Sequence, residues 1–185
     1  MRRPRLLAVA LILAVPEALA HGQDREVVEA ALEHFGARSD AYFYDPKGLL
    51  LIWPETAKWT SGFGGLEDPQ GECPADRALL EVLRTRNSLT RPASDLVEPS
   101  TRWRLVKEEE KATMSPGLPL PPNAPKRPPT KTVVTLHQPA LSPAEDVALV
   151  VFRFAWSMHG AVARYALHRA GSRWKVTCSK LIFYP

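Results

Sequence analysis

The sequence predicts an α+β fold in which N-terminal helices pack on a curved antiparallel sheet, forming a cone-like roll with a proline-rich insertion. Three observations lead to this prediction. Two segments in the first half of the chain repeat apolar residues at helical spacing. The last third alternates apolar and polar residues around a glycine turn, as paired strands do. A cluster of prolines separates these two parts.

The first 20 residues have the composition of a secretory signal. Three arginines precede an apolar run over residues 6–15, and a small Ala-Leu-Ala motif ends at Ala20. The apolar run is about half as long as a membrane-spanning helix. We therefore expect cleavage after Ala20 and a secreted or periplasmic bacterial protein whose single α+β domain covers residues 21–185. An uncleaved membrane anchor is the alternative.

Removing this signal changes the charge of the chain. The whole sequence has 24 Lys and Arg against 20 Asp and Glu, which gives a net charge of +4. The signal contains three of the arginines and Glu17, so the remainder has a net charge of +2. No later segment interleaves a Lys/Arg cluster with aromatic residues, and this disfavours a nucleic-acid partner.

Cys73 and Cys178 are the only two cysteines. Two distant cysteines in a chain that enters an oxidising compartment predict a disulfide. The alternative is a buried thiol on the last strand and an exposed thiol before a helix. The sequence contains no C-x-x-C motif, so neither a thioredoxin-type redox site nor a zinc knuckle is supported.

The first half of the chain predicts two helices and a strand. Residues 24–38 are amphipathic at helical spacing, and Asp24 is a suitable N-cap. Residues 49–53 are a short apolar run between a glycine and a proline, which predicts a buried strand. Residues 74–86 predict a second helix, because an early proline and Asp76 both suit a helix start.

The middle of the chain predicts little regular structure. Residues 103–105 fit a short edge strand, and the acidic triplet at 108–110 is expected to be a solvated face or the end of that strand. Seven of the 18 prolines lie within residues 116–129. Because proline restricts φ and lacks an N–H donor, we expect a proline-rich loop or spacer over residues 113–131.

The last third predicts antiparallel strands. Residues 132–136 and 146–156 are strand-like, and Gly171-Ser172 suits the two-residue loop of a type II′ hairpin. In that hairpin Tyr165 faces Cys178, and one face is apolar while the other is polar.

The alternation in this hairpin places Lys180 on the apolar face. Either a β-bulge near Ser179 reverses the alternation, or Lys180 points to the covered side of the sheet. A lysine that lined a cavity there would suit an anionic ligand.

The terminal stretch HGAVARYALHRAGSRWKVTCSKLIFYP, with Trp-Lys-Val after a glycine turn, resembles the end of nuclear transport factor 2-like domains, also termed SnoaL-like or cystatin-like. It is also similar to the tails of uncharacterised exported bacterial proteins. The resemblance covers residues 146–185 well and the first helix loosely, whereas residues 90–140 depart from a compact roll. It implies a roll whose concave sheet face can form a pocket. Isomerases, dehydratases, ligand binders and structural dimers all use this fold, so it does not decide the function.

Four residues are candidates for the lining of such a pocket: Trp53, Trp156, Tyr165 and Lys180. His159, before a glycine, is a weak candidate for an acid/base residue that Asp45 or Asp146 could orient. Otherwise it is a polar turn residue, and the aromatic residues are part of the core.

Cleavage after Ala20 would make His21 the N-terminal residue. A terminal amine and an imidazole can chelate Cu(II), and His137, His159 or His168 could supply a further nitrogen. We expect no cofactor otherwise.

The expected function is that of an exported, non-catalytic domain that binds a small ligand or a partner protein. We expect no nucleic-acid partner and no stable membrane insertion after cleavage, and a homodimer is compatible with the sequence. A pocket enzyme that uses His159 and a copper-binding protein that uses His21 are the alternatives.

Overall fold

The structure, a computed structural model, describes residues 17–37, 50–59, 73, 75–114, 133–156 and 159–184. Its helices are α1 (Glu17–Ala37), α2 (Arg77–Arg86) and α3 (Glu108–Met114), with one 3₁₀ turn at Ala93–Asp95. Its strands are β1 (Leu50–Ile52), β2 (Trp103–Leu105), β3 (Val133–Leu136), β4 (Ala140–Leu141), β5 (Val147–Trp156), β6 (His159–Ala170) and β7 (Arg173–Tyr184).

The seven strands form one curved, open, mixed sheet. Its order is β2-β1-β3-β5-β6-β7, and β4 also pairs with β5. The predicted α+β class is confirmed, but the prediction of an entirely antiparallel sheet is wrong, because β1 is parallel to both of its neighbours. Helix α2 lies between β1 and β2 in the sequence. A connection of this length allows β2 to run in the same direction as β1.

Helices cover both faces of the sheet. On the first face, α1 packs Val28, Leu32 and Phe35 against alternate residues of β5, including Phe152. On the second face, α2 packs its leucines against the intervening residues of β5, including Val151. The two predicted helices therefore lie on opposite faces, because successive residues of a strand point to opposite sides.

The helix starts differ from the predictions. Helix α1 begins at Glu17 and continues through the predicted cleavage point, so Asp24 lies inside the helix and does not cap it. Helix α2 begins at Arg77, and the carboxylate of Asp76 accepts a hydrogen bond of 2.7 Å from the backbone N–H of Ala78. Asp76 is therefore the N-cap of α2.

The acidic triplet is the first turn of α3, where Glu108 and Glu109 are exposed, so the expected solvated face is confirmed and the alternative of a strand end is wrong. The two carboxylate oxygens of Glu110 accept hydrogen bonds of 2.6 and 2.7 Å from the guanidinium of Arg104 on β2. Together with the backbone N–H of Lys107, this guanidinium lowers the pKa of Glu110 to about 2. The edge strand predicted at residues 103–105 is confirmed.

The β6–β7 hairpin turns at Gly171, whose φ is +65°. Ser172, the second residue of the loop, does not have a positive φ. A positive φ at the first loop residue alone is what a type II′ turn requires. The predicted register holds from Arg169 opposite Trp174 as far as Leu167 opposite Val176.

Beyond Val176 the register shifts by one residue, because Thr177 forms a β-bulge. Cys178 therefore pairs with Ala166, and its predicted pairing with Tyr165 is wrong. The bulge lies two residues before the predicted position at Ser179. It moves Cys178 and Lys180 to the second face, which carries α2.

Two sequence-based predictions fall outside the described residues. These are the proline-rich loop, apart from its first two residues, and residues 1–16 of the predicted signal. Within the described part of the chain, no helix is long and apolar enough to cross a membrane.

Candidate functional site

A disulfide joins Cys73, which precedes α2, to Cys178 on β7. The two Cα atoms are 5.6 Å apart, although the residues are separated by 105 positions in the sequence. The predicted pairing is confirmed. Cys73 is buried, and its backbone carbonyl accepts a hydrogen bond from the buried guanidinium of Arg164 on β6. The disulfide and this bond both hold Cys73 on the second face of the sheet.

The residues predicted to line a pocket are distributed over both faces. Tyr165 is buried on the first face, where its ring centroid is 5.5 Å from that of Phe152. Lys180 is opposite Arg164 on the second face. Tyr165 and Lys180 therefore do not line the same pocket, because the sheet separates them.

The remaining two pocket candidates lie elsewhere. Trp53 packs beside Leu51 and Val133 on the second face, and the ammonium of Lys111 is 5.9 Å from its ring centroid. Trp156 is the last residue of β5, and its side chain is outside the described part of the structure.

The candidate acid/base residue, His159, is separated from one of its proposed partners. His159 opens β6 and pairs with Trp156 at the end of β5, whereas Asp146 precedes the other end of that strand. Ten residues of strand extend about 30 Å, so Asp146 does not orient His159. The His159 side chain and Asp45 lie outside the described residues.

The histidines considered for copper are placed in different environments. His21 lies within α1, His137 is buried, and His168 is exposed on β6. Over the described ranges, no group of three or more His, Cys, Asp or Glu side chains could hold a metal ion. The side chain of His21 is not among those described.

A buried polar network lies where β3 gives way to β4. Strands β3 and β4 both pair with β5, and residues 137–139 connect the two. Asn87, just after α2, packs against this connection. The amide nitrogen of Asn87 donates to the backbone carbonyls of Leu83 and Gln138 at 2.8 and 2.9 Å. Its amide oxygen accepts from the backbone N–H of Gln138 at 2.7 Å. Asn87 thus joins the end of α2 to the sheet.

His137 belongs to this connection and is fully buried. Burial lowers the pKa of His137 to about 4, and the nearby positive charge of Arg153 acts in the same direction. The imidazole is therefore neutral at neutral pH, and its ring lies edge-on to Trp59.

The C-terminal strands have a one-sided charge composition. Residues 147–185 contain six Lys and Arg residues and no Asp or Glu. The pairing register places five of the six on the second face: Arg153, Arg164, Arg173, Lys175 and Lys180. The sixth, Arg169, is on the first face, where its guanidinium is 5.9 Å from the ring centroid of Trp174.

Three of these six residues and His168 lie beside the turn of the β6–β7 hairpin, and we call the four residues the hairpin-end basic cluster: His168, Arg169, Arg173 and Lys175. All are exposed except Arg169, which is half-buried. Within the described part of the chain, none of the four forms an ion pair.

The nearest acidic residues in the sequence are already engaged. Glu145 accepts a 2.6 Å hydrogen bond from Gln23 on α1, and Asp146 accepts one of 2.8 Å from Ser142. Both donors are neutral, so the two carboxylates keep their charge, but among the described residues neither forms an ion pair with the hairpin-end basic cluster. The absence of any acidic residue after Asp146 is the signal that could have revealed the cluster.

No family model, curated protein or solved structure matches this chain. The candidate site therefore rests on its own geometry and charge. An exposed group of like charges on a rigid hairpin is suited to binding an anionic partner.

Proposed function

We propose that this chain is an exported, non-catalytic domain that binds an acidic segment of a partner protein through the hairpin-end basic cluster. The observation that carries the proposal is the absence of acidic residues from residues 147–185, combined with the lack of ion pairs at the exposed turn among the residues that the structure describes. Like charges repel one another, and a bound anion would relieve that repulsion.

Rigidity of the hairpin supports the same proposal. Gly171 sets the turn, and the Cys73–Cys178 disulfide attaches β7 to the segment before α2. Cationic side chains on such a scaffold lose less conformational freedom on binding than those on a mobile loop. Electrostatic attraction would also accelerate the encounter and weaken with added salt.

Export is supported by the signal-like composition of the first 20 residues and by the disulfide. Mass spectrometry of the protein recovered outside the cytoplasm tests this part. We expect a mass that starts at His21 and lacks two hydrogens at the cysteines. An intact N-terminus with free thiols in the cytoplasm would contradict export.

The binding proposal is tested by titrating the purified protein with a polyglutamate peptide at low and physiological salt. Reversing two charges of the cluster, with Arg173→Glu and Lys175→Glu, should weaken binding at least tenfold. The matched control reverses two exposed charges elsewhere, with Lys58→Glu and Arg102→Glu, and should change the affinity less than twofold. Equal losses in the two double variants would overturn the proposal, as would no loss in the first.

A parallel titration uses a short DNA duplex at the same salt concentrations. The proposal expects weaker binding to the duplex than to polyglutamate. Tighter binding of the duplex, lost in the Arg173→Glu/Lys175→Glu variant, would assign the cluster to a nucleic-acid partner instead.

A further inference from the structure

We propose that the acidic partner segment adds to the sheet as an eighth strand, antiparallel to β7 along Arg173–Val176. This inference rests on the function proposed above and specifies how the segment is held. Strand addition draws its affinity from main-chain hydrogen bonds and its specificity from alternate side chains.

The outer edge of β7 is available at the end near the hairpin turn. β7 is the last strand of the sheet, and no described residue hydrogen-bonds to the outer side of residues 173–177. Ala170 and Arg173 flank a two-residue turn and form a hydrogen-bonded pair, so His168 and Lys175 form the next one. The N–H and C=O groups of Trp174 and Val176 therefore point away from β6.

The side chains along this edge alternate in chemistry. Arg173 and Lys175 lie on the second face, and Trp174 and Val176 lie on the first. Directly opposed residues of neighbouring strands have Cβ atoms about 5 Å apart. An added strand would thus place carboxylates beside Arg173 and Lys175, and apolar side chains beside Trp174 and Val176. The favoured segment alternates acidic and apolar residues.

The bulge limits the length of the site. Thr177 turns its hydroxyl back to donate to the carbonyl of Ala166 at 3.1 Å, and the β6–β7 ladder is interrupted there before it resumes at Cys178. About four residues of a partner can therefore pair with the edge. A second copy of the chain would bind this edge poorly. Antiparallel pairing of two β7 edges would place Arg173 and Lys175 of one copy beside the same cationic residues of the other copy.

The probe is an eight-residue peptide that alternates glutamate and valine, titrated against the full exported protein by calorimetry. In the proposed geometry, the valines face Trp174 and Val176 and donate their N–H groups to the protein, whereas the glutamate N–H groups point outward. N-methylation of the valines should weaken binding at least tenfold. N-methylation of the glutamates, the matched control, should change it less than twofold.

Several outcomes would overturn strand addition. The first is that the parent peptide does not bind at millimolar concentration. The second is that the two methylated peptides bind with equal affinity. The third is that the protein dimerises through β7 in analytical ultracentrifugation. Hydrogen exchange supplies a second readout, in which the Trp174 and Val176 amides gain protection on binding and the Lys175 amide does not change.

The two proposals fail differently. Equal affinities of the methylated peptides, with binding still lost in Arg173→Glu/Lys175→Glu, would remove strand addition and leave the anionic partner. No loss in that charge-reversal variant would remove the proposed function itself.

Discussion

Asp24 on α1 accepts two hydrogen bonds from the guanidinium of Arg86, the last residue of α2. The Asp24 side chain is 4% exposed and that of Arg86 is 26% exposed. The same guanidinium donates to the backbone carbonyl of Pro139 at 2.7 Å. One arginine therefore connects the helix on the first face, the helix on the second face, and the sheet between them.

Replacing the acid of this pair should destabilise the fold. Asp24→Asn leaves the Arg86 guanidinium without its counter-charge in a mostly buried site, and we expect a loss of about 3 kcal/mol in the free energy of unfolding. Urea denaturation measures it. Glu26→Gln, an exposed change on the same helix, should cost less than about 0.5 kcal/mol. Equal effects of the two variants would show that the pair contributes nothing specific.

The buried Asn87 amide should be sensitive to its hydrogen-bonding pattern. Asn87→Ala removes three side-chain hydrogen bonds and should cost about 2–3 kcal/mol. Asn87→Asp should cost more, although its shape is unchanged, because a carboxylate cannot donate to the carbonyls of Leu83 and Gln138. Thermal unfolding of both variants provides the comparison. A milder effect of Asn87→Asp would contradict the assigned orientation of the amide.

Stability should depend on the protonation of His137. Its pKa is about 4 in the folded protein, against the ordinary histidine value of 6.5 in the unfolded chain. As the pH falls from 6.5 to 4, the unfolded chain binds a proton that the folded chain excludes, so stability decreases by up to about 3 kcal/mol. This contribution is fully present above pH 6.5.

Urea denaturation between pH 4 and 7.5 tests this dependence. His137→Leu should flatten the decrease, because leucine does not titrate. His168→Leu, which alters an exposed histidine, should leave the decrease in place. A wild-type slope retained in His137→Leu would assign the pH dependence to other groups.

Removing the disulfide should have a large effect on stability. It closes a loop between residues separated by 105 positions, and the chain-entropy model assigns about 4–5 kcal/mol to a loop of this length. We expect Cys73→Ala/Cys178→Ala to lose this amount, and wild type in reductant to unfold at the same denaturant concentration as that variant. Unchanged stability in both would show that the segment before α2 is held by other contacts.

Local pattern predicted most of the regular elements. The helical spacing of Val28, Leu32 and Phe35 and the glycine-first loop at Gly171 are short-range signals, and both lead to elements that the structure contains. The parallel pairing of β1 could not be predicted in this way. It depends on contacts with β2 and β3, which are distant in the sequence, and no local signal encodes the choice of neighbour.

The candidate site was partly visible in the sequence. The lack of acidic residues after Asp146 can be read directly from the sequence. Which of the cationic residues lie together can be known only from the pairing register of the strands. That register changes at Thr177, where a hydroxyl bonds to a carbonyl on the neighbouring strand. Periodicity alone therefore assigned Cys178 and Lys180 to the wrong face. The resemblance to nuclear transport factor 2-like domains stays a prediction.

The order of the strands also has a consequence for when the chain can fold. Helix α1 is nearest the N-terminus, yet it packs on β5, β6 and β7. Cys73 likewise forms its disulfide with Cys178, which is near the C-terminus. During synthesis, the part of the core that α1 forms with β5, β6 and β7 cannot assemble until these final strands emerge. The complete core and the Cys73–Cys178 bond can therefore form only when synthesis is almost complete.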